Sequence, residues 1–213
     1  MSQYKAALAD FNRALELAPN SAGIIASRGV TYGQMDQYQA ALNDFNRALE
    51  LEPDHAWAIG GRGEAYRLLG QHEAALEDLN RTIEQNPDND WSFYQRALVY
   101  QTLGQPDNVE DDANAAIQRA RQKYEKDPQD WQNTFNLALY YLAAGATSEA
   151  EQLYRETPGK ALPHRIRIAI DDLDDFLAVF QEHAHARSMR ELLQRALEPA
   201  NDEQAPAGDE QAS

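Results

Sequence analysis

Apolar side chains recur at every third or fourth position in the first half of the chain, the spacing of residues on one face of an α-helix. One such stripe contains Leu8, Phe11 and Leu15, and a second contains Leu42, Phe45 and Leu49. Polar residues occupy most of the positions between them. The pattern predicts short amphipathic helices, each with one face buried against a neighbour.

The stripes belong to an internal repeat with a step of 34 residues. Residues 4–17 read YKAALADFNRALEL and residues 38–51 read YQAALNDFNRALEL, identical at 12 of 14 positions. A third copy, HEAALEDLNRTIEQ, spans residues 72–85. A proline follows each copy at the same distance, at Pro19, Pro53 and Pro87. Because proline cannot continue the hydrogen bonding of a helix, each copy is predicted to be a helix that ends before it.

Small and large residues recur at fixed places within each unit. In one complete unit they are Gly29, Tyr32, Ala41, Phe45, Ala48 and Pro53. This pattern resembles the tetratricopeptide repeat, a helix–turn–helix unit whose neighbours must stack to bury their apolar faces. The resemblance covers roughly residues 2–157 and implies an all-α fold, a right-handed superhelical solenoid of antiparallel helix pairs with about eleven helices.

The units are not all regular, and the irregularities predict the organisation of the chain. Residues 1–157 are interpreted as the repeats, of which the first has only its second helix and the fourth an elongated second helix. Residues 158–198 lose the motif but keep helical spacing, so we expect a degenerate helical pair that acts as a cap. Residues 199–213 are acidic and contain no large apolar side chain, which predicts a disordered tail.

The charge balance excludes several classes of partner. The chain has 19 Lys and Arg against 35 Asp and Glu, a net charge of -16. Nucleic acid and anionic membranes are therefore not expected as partners, because both require a basic surface. No cysteine is present, which excludes disulfides and thiolate zinc sites. No apolar run is long enough for a transmembrane helix and no secretory signal pattern begins the chain, so we expect a cytoplasmic protein.

No catalytic constellation, cofactor motif or metal-ligand pattern is found in the sequence, so we do not expect an enzyme. His183 and His185 are two positions apart, which points them to different sides of a helix. The acidic run from Asp171 to Asp175 shares a helix face and could attract a cation, but a solvated helix face is the favoured interpretation.

An arginine–aspartate recurrence follows the same 34-residue step. Arginine occupies a position where the resemblance implies an aliphatic residue at a helix–helix seam, and there it needs a partner. We predict structural, charge-assisted pairs within or between neighbouring units. The alternative is that each guanidinium simply reaches water. The residues of this set are Arg28, Arg62, Arg96, Asp10, Asp44, Asp78 and Asp112.

The resemblance also implies a concave groove lined by the first helix of each unit. We expect aromatic side chains in this groove to anchor a partner and polar ones to orient it, with Glu64 favouring a basic or amide group. The alternative is that the tryptophans fill seams between units. The predicted groove residues are Trp57, Glu64, Arg67, Trp91, Tyr94, Gln101, Gln132 and Phe135.

One ligand mode of the resembling family, the clamping of a chaperone's C-terminal carboxylate, is not expected here. Lys, Asn and Arg form that clamp, and only Gln95 among the matching positions offers a suitable group. The matching positions are Ala26, Val30, Gly61, Trp91 and Gln95.

The sequence thus predicts a non-catalytic protein–protein interaction scaffold that binds a partner peptide or helix in its groove. Fold alone is a weak basis for function, so two alternatives stay open. One is a regulatory or substrate-presenting module of a larger enzyme. The other is a self-assembly module, because the apolar stripe around Phe11 in the N-terminal half-repeat lacks a covering helix. That stripe is expected either to associate with a second copy or to be covered by a segment outside this sequence.

Overall fold

The computed structural model describes residues 2–157 and 159–198. Within these ranges it contains eleven helices and no strand, so the predicted all-α fold is confirmed. The tail predicted to be disordered, residues 199–213, lies outside the described residues. The helices are α1 (Ser2–Leu17), α2 (Ala22–Gly33), α3 (Tyr38–Leu51), α4 (Ala56–Leu68), α5 (His72–Gln85), α6 (Asp90–Thr102), α7 (Pro106–Lys126), α8 (Trp131–Ala143), α9 (Thr147–Glu156), α10 (Pro163–Val179) and α11 (Ala184–Leu197).

The helices pack in successive pairs, and each pair also contacts its neighbour along the chain. The turn inside four of the five pairs contains one residue with a positive φ, a backbone conformation that favours glycine. Glycine occupies it three times, as Gly70, Gly104 and Gly145, whereas Asp36 holds it with φ 58° in the first complete pair. Along the chain, the first three of these positions are Asp36, Gly70 and Gly104, which are 34 residues apart. The second helices α3, α5 and α7 begin two residues after them.

Close approach of the helices explains the small residues of the repeat. The Phe45 ring lies between α2 and α4, and it is 2% exposed. A Cβ added to Gly61 would lie 2.5 Å from Phe45 Cζ, and one added to Gly29 would lie 2.9 Å from Cε1. Neither position has room for a side chain unless the ring moves. The glycines therefore let one aromatic ring fill the seam between two units.

Two features depart from a regular array. Helix α7 has 21 residues, whereas α3 and α5 each have 14. Helix α10 packs against α8 as the next unit would, but it also contacts α6, and its Asp175 reaches Arg67 on α4. Helix α10 therefore crosses the face formed by the first helices of three units, which the sequence did not predict.

Helix α1 differs from α3 in burial, although their sequences are nearly identical. Phe11 and Leu15 on α1 are partly exposed, whereas the matching Phe45 and Leu49 on α3 are 2% and 9% exposed. The difference arises because α3 lies between α2 and α4, while α1 packs on α2 alone among the described helices.

Candidate functional site

Three arginines join neighbouring units through the same set of contacts. At the central one, Arg62 on α4, Nε and Nη2 donate to Asp78 Oδ2 and Oδ1 on α5 at 2.7 and 2.9 Å. The remaining Nη1 donates to Asn46 Oδ1 on α3, in the preceding unit, at 2.9 Å. One guanidinium thus holds three helices together, and its bonds to Asp78 raise the pKa of Arg62.

We call these three sets of contacts the arginine ladder. Arg28 repeats the contacts with Asp44 and Asn12, and Arg96 repeats them with Asp112 and Asn80. Each guanidinium also lies over a tyrosine ring of its own helix, 5.8 or 5.9 Å from the centroid. The three aspartates are buried, and a buried carboxylate is costly unless it is paired in this way. Asp10 has the same register but is exposed, and no hydrogen bond links it to another described residue.

The asparagines of the ladder were missed by the sequence reasoning. Their signal was available, because an Asn follows each repeated Asp by two positions in all three copies of the helix. The ladder is interrupted after α7. Leu137 occupies the equivalent place on α8, where it is 2% exposed.

An open cleft lies between α4 and α6 on the face formed by the first helices. It has a volume of about 300 Å³. Three of the predicted groove residues line it: Trp57, Glu64 and Trp91. Trp57 is 76% exposed, which is unusual for so large an apolar side chain, and Val30, which also lines the cleft, is 37% exposed. For Trp57, the alternative that the ring fills a seam is therefore wrong.

The rest of the predicted groove is occupied by the chain itself. Tyr94 is fully buried and Phe135 is 2% exposed, beneath the contacts that α10 makes with α6 and α8. Arg67 is 7% exposed and bonds to Gln95 and Asp175. The expectation that these three residues face a partner is wrong for this conformation, because α10 covers the positions where a ligand would contact them.

The two glutamines that were predicted to bind a partner, Gln101 and Gln132, are also not available in the open cleft. Gln132 donates to Asn136 Oδ1 at 3.0 Å and accepts a bond from Arg165, near the start of α10, at 3.1 Å. Gln101 is half-buried near the end of α6 and does not line the cleft. The open site therefore includes fewer residues than the predicted groove, and it is centred on α4.

Two carboxyl groups, of Glu64 on α4 and Asp172 on α10, lie close enough that Glu64 raises the pKa of Asp172. Burial raises the pKa of Glu64, and the effect is opposed by Arg67 and the Trp91 side chain. Burial also raises the pKa of Asp172 on α10 to about 8, with further contributions from Glu64, Asp175 and Asp171. Folding therefore takes up a proton at Asp172. The stability that this proton provides is complete below about pH 4 and is lost as the pH rises through 8.

The histidines and the other acidic residues form no metal centre in the part of the chain that the structure describes. His183 instead caps α11, accepting a bond from the Ala186 amide at 3.1 Å. Of the acidic run, Asp174 pairs with Arg190 and Asp175 with Arg67. The run is therefore not simply the solvated face that was expected.

None of the described helices is long and apolar enough to span a membrane.

A second opening of about 520 Å³ lies beside the extended end of α7. Tyr124, Trp131 and Leu153 form its apolar walls, and Glu156 and Lys160 lie at its edge. It is remote in sequence from Trp57 and shares no lining residue with the cleft.

Stacked helix pairs of this kind define an α-helical repeat solenoid. Models of the tetratricopeptide repeat match residues 2–58, 63–104 and 94–163, which together make up well over half of the chain. The chain belongs to the tetratricopeptide repeat family. No curated protein matches it significantly.

Solved structures show the same fold at low identity. The thermophilic tetratricopeptide repeat protein TTC0263 of Thermus thermophilus is 21% identical, with a TM-score of 0.58 over 91% of this chain and 92% of that one. MamA is 21% identical, with a TM-score of 0.51 over 75% and 89%. The Pseudomonas aeruginosa protein pilF is 18% identical, with a TM-score of 0.51 over 91% and 84%. At this identity the likeness extends to the fold alone.

Proposed function

We propose that this chain is a non-catalytic scaffold that binds a peptide or helix of a partner protein in the cleft between α4 and α6. The observation that carries the proposal is the exposure of Trp57, 76%, at the mouth of an otherwise formed cleft. Exposed tryptophans in a concave, partly apolar site are typical anchors for a protein ligand. The tetratricopeptide repeat fold is consistent with such a role.

The length of the site follows from α10. Because α10 crosses the first helices of the later units, the surface left open extends from Val30 on α2 to Trp91 on α6. A bound segment therefore contacts helices α2 to α6 at most and not the whole array. We expect a short ligand, for which one or two anchor side chains supply most of the affinity.

Intrinsic fluorescence tests the proposal directly, since the chain has three tryptophans and two of them line the cleft. A Trp131→Phe variant keeps only Trp57 and Trp91 as tryptophans. Peptides selected from a random display library on the full chain are titrated into this variant. The proposal predicts a change in its emission and the same affinity as for the unmodified chain.

The matched substitution is Trp57→Ala, which removes a mostly exposed side chain and is not expected to unfold the protein. Loss of an aromatic anchor costs about 2 kcal/mol, or about 30-fold in Kd. If every selected peptide binds Trp57→Ala as tightly as the unmodified chain, the cleft is not the binding site.

Self-association through α1 is a second candidate function, favoured by one observation. The apolar stripe that is buried on α3 is partly exposed on α1, where Phe11 is its largest side chain. Burying such a stripe against a second copy gains about 25 cal/mol per Å² of apolar surface. The experiment that tests it is given in the Discussion.

A further inference from the structure

Two carboxyl groups near Arg67, those of Glu64 and Asp172, have no basic side chain of their own. The Arg67 guanidinium is already committed, with Nη2 donating to Asp175 Oδ2 at 2.6 Å and Nε donating to Gln95 Oε1 at 2.5 Å. Its charge is therefore compensated by Asp175. Glu64 and Asp172 lie next to this pair, and neither forms a salt bridge with any described residue.

The surroundings of Asp172 offer no cation to replace Arg67. The titratable groups that face it come from four other elements and from α10 itself. They are Glu64 on α4, Tyr94 on α6, Tyr140 on α8, Tyr154 on α9, and Asp171 and Asp175 on α10. All of these groups are neutral or negative, so Asp172 ionises at neutral pH only if a ligand supplies a positive charge beside it.

A second, independent observation points to a ligand at the same place. Gln95 lines the cleft and is 1% exposed. Its Oε1 accepts the bond from Arg67, so its Nε2 is directed elsewhere, and this nitrogen has no acceptor among the described residues. Buried amide donors are normally satisfied, which makes Nε2 a position for an acceptor such as a peptide carbonyl.

The cleft walls suit a long basic side chain. Trp57, on the same helix as Glu64, and Trp91, on α6, both line the cleft. The methylene stem of Lys or Arg packs on such surfaces, and its cationic end is attracted to the ring faces. The net charge of -16 further favours encounter with a basic partner.

We propose, on the basis of the binding function proposed above, that the cleft recognises an arginine or lysine side chain of the partner. Glu64 and Asp172 are its counter-charges, Trp57 and Trp91 contact its stem, and Gln95 Nε2 donates to a carbonyl oxygen of the partner's backbone. The occupant is therefore a segment of a protein with an exposed basic residue.

The test uses display-selected peptides and one chemical substitution within them. On the full chain, selection should enrich Arg or Lys at one position of the peptide. The best arginine peptide is then compared with its citrulline analogue, which keeps the shape and loses the charge. We expect at least a tenfold weaker Kd for the citrulline peptide on the unmodified chain.

The variant Glu64→Gln should reduce this arginine-to-citrulline ratio several-fold. Glu110→Gln is the matched control, because Glu110 is exposed on α7 and does not line the cleft. It should leave the ratio unchanged.

A further readout is pH: a cation in the cleft displaces the proton of Asp172, so the affinity for the arginine peptide should rise between pH 6 and 9. Asp172→Asn should flatten that rise.

The outcomes separate the two proposals. Peptides that depend on Trp57 but bind equally as arginine and citrulline forms would overturn the recognition of a basic residue and leave the binding function standing. A ratio that Glu64→Gln does not reduce would overturn the role of Glu64 in the same way. If no selected peptide depends on Trp57, both proposals fail.

Discussion

The arginine ladder predicts a large loss of stability when its central arginine is removed. In Arg62→Leu, the carboxyl of Asp78 stays buried, at 3% exposure, but loses both bonds from the guanidinium. Breaking a buried pair by removing one partner costs about 3–5 kcal/mol. Because the Arg62 side chain is itself 22% exposed, we expect a loss near the lower limit, about 3 kcal/mol.

Urea denaturation followed by circular dichroism measures this loss. Arg47→Leu is the matched control, since Arg47 pairs with Glu50 on the surface of α3 with side-chain exposures of 50% and 65%. Such exposed pairs contribute about 0–1 kcal/mol. Adding Asp78→Asn to Arg62→Leu replaces the unpaired buried carboxyl with a neutral amide and should recover part of the loss. If Arg62→Leu loses no more stability than Arg47→Leu, the ladder does not stabilise the stack.

Three further predictions concern other parts of the chain. Asp172→Asn removes a carboxyl group with a pKa of about 8, whose ionisation costs stability as the pH rises. The Tm of this variant should therefore exceed that of the unmodified chain by more at pH 8 than at pH 5. A constant difference in Tm would contradict this. Gly61→Ala should destabilise the fold, because the added Cβ would lie 2.5 Å from Phe45 Cζ. Gly60→Ala has 3.6 Å to its nearest contact and should instead gain about 0.5–1 kcal/mol of stability from helix propensity. Equal effects of the two substitutions in urea titrations would show that the Phe45 ring moves freely. Phe11→Glu should reduce concentration-dependent association in light scattering, and a strict monomer for both chains would exclude self-assembly through α1.

Local sequence was sufficient to predict the parts of the molecule that repeat. The 34-residue step carries the helix, the turn and the contact residues of the regular units, whereas α10 and α11 were expected only from the spacing of their apolar residues. The recurrence of Arg62 and Asp78 at matching steps also indicated which charges could meet. The Asn46 position repeats just as regularly, but its role depends on contact with the next unit and not on its own helix.

The part that failed lies where the repeat fades. Arg67 and Asp175 are 108 positions apart, and no period relates them. Nothing in the sequence of α10 distinguishes a helix that continues the stack from one that crosses three earlier units. Groove residues read from the repeat pattern alone, such as Tyr94, were therefore assigned to a surface that α10 covers. Trp57 stays exposed at the open cleft because α10 does not cover it, and its role in binding a partner remains a prediction.

The short sequence distance over which each ladder contact forms has a consequence for how repeats are gained and lost in evolution. Each arginine depends only on an Asn 16 positions before it and an Asp 16 positions after it, within a period of 34. Duplication or deletion of one whole period among the regular units, as in unequal recombination of the coding sequence, leaves every arginine with both partners. Growth and shrinkage of this region therefore need no compensating substitution at its seams. The near identity of residues 4–17 and 38–51 is what such a recent duplication would leave.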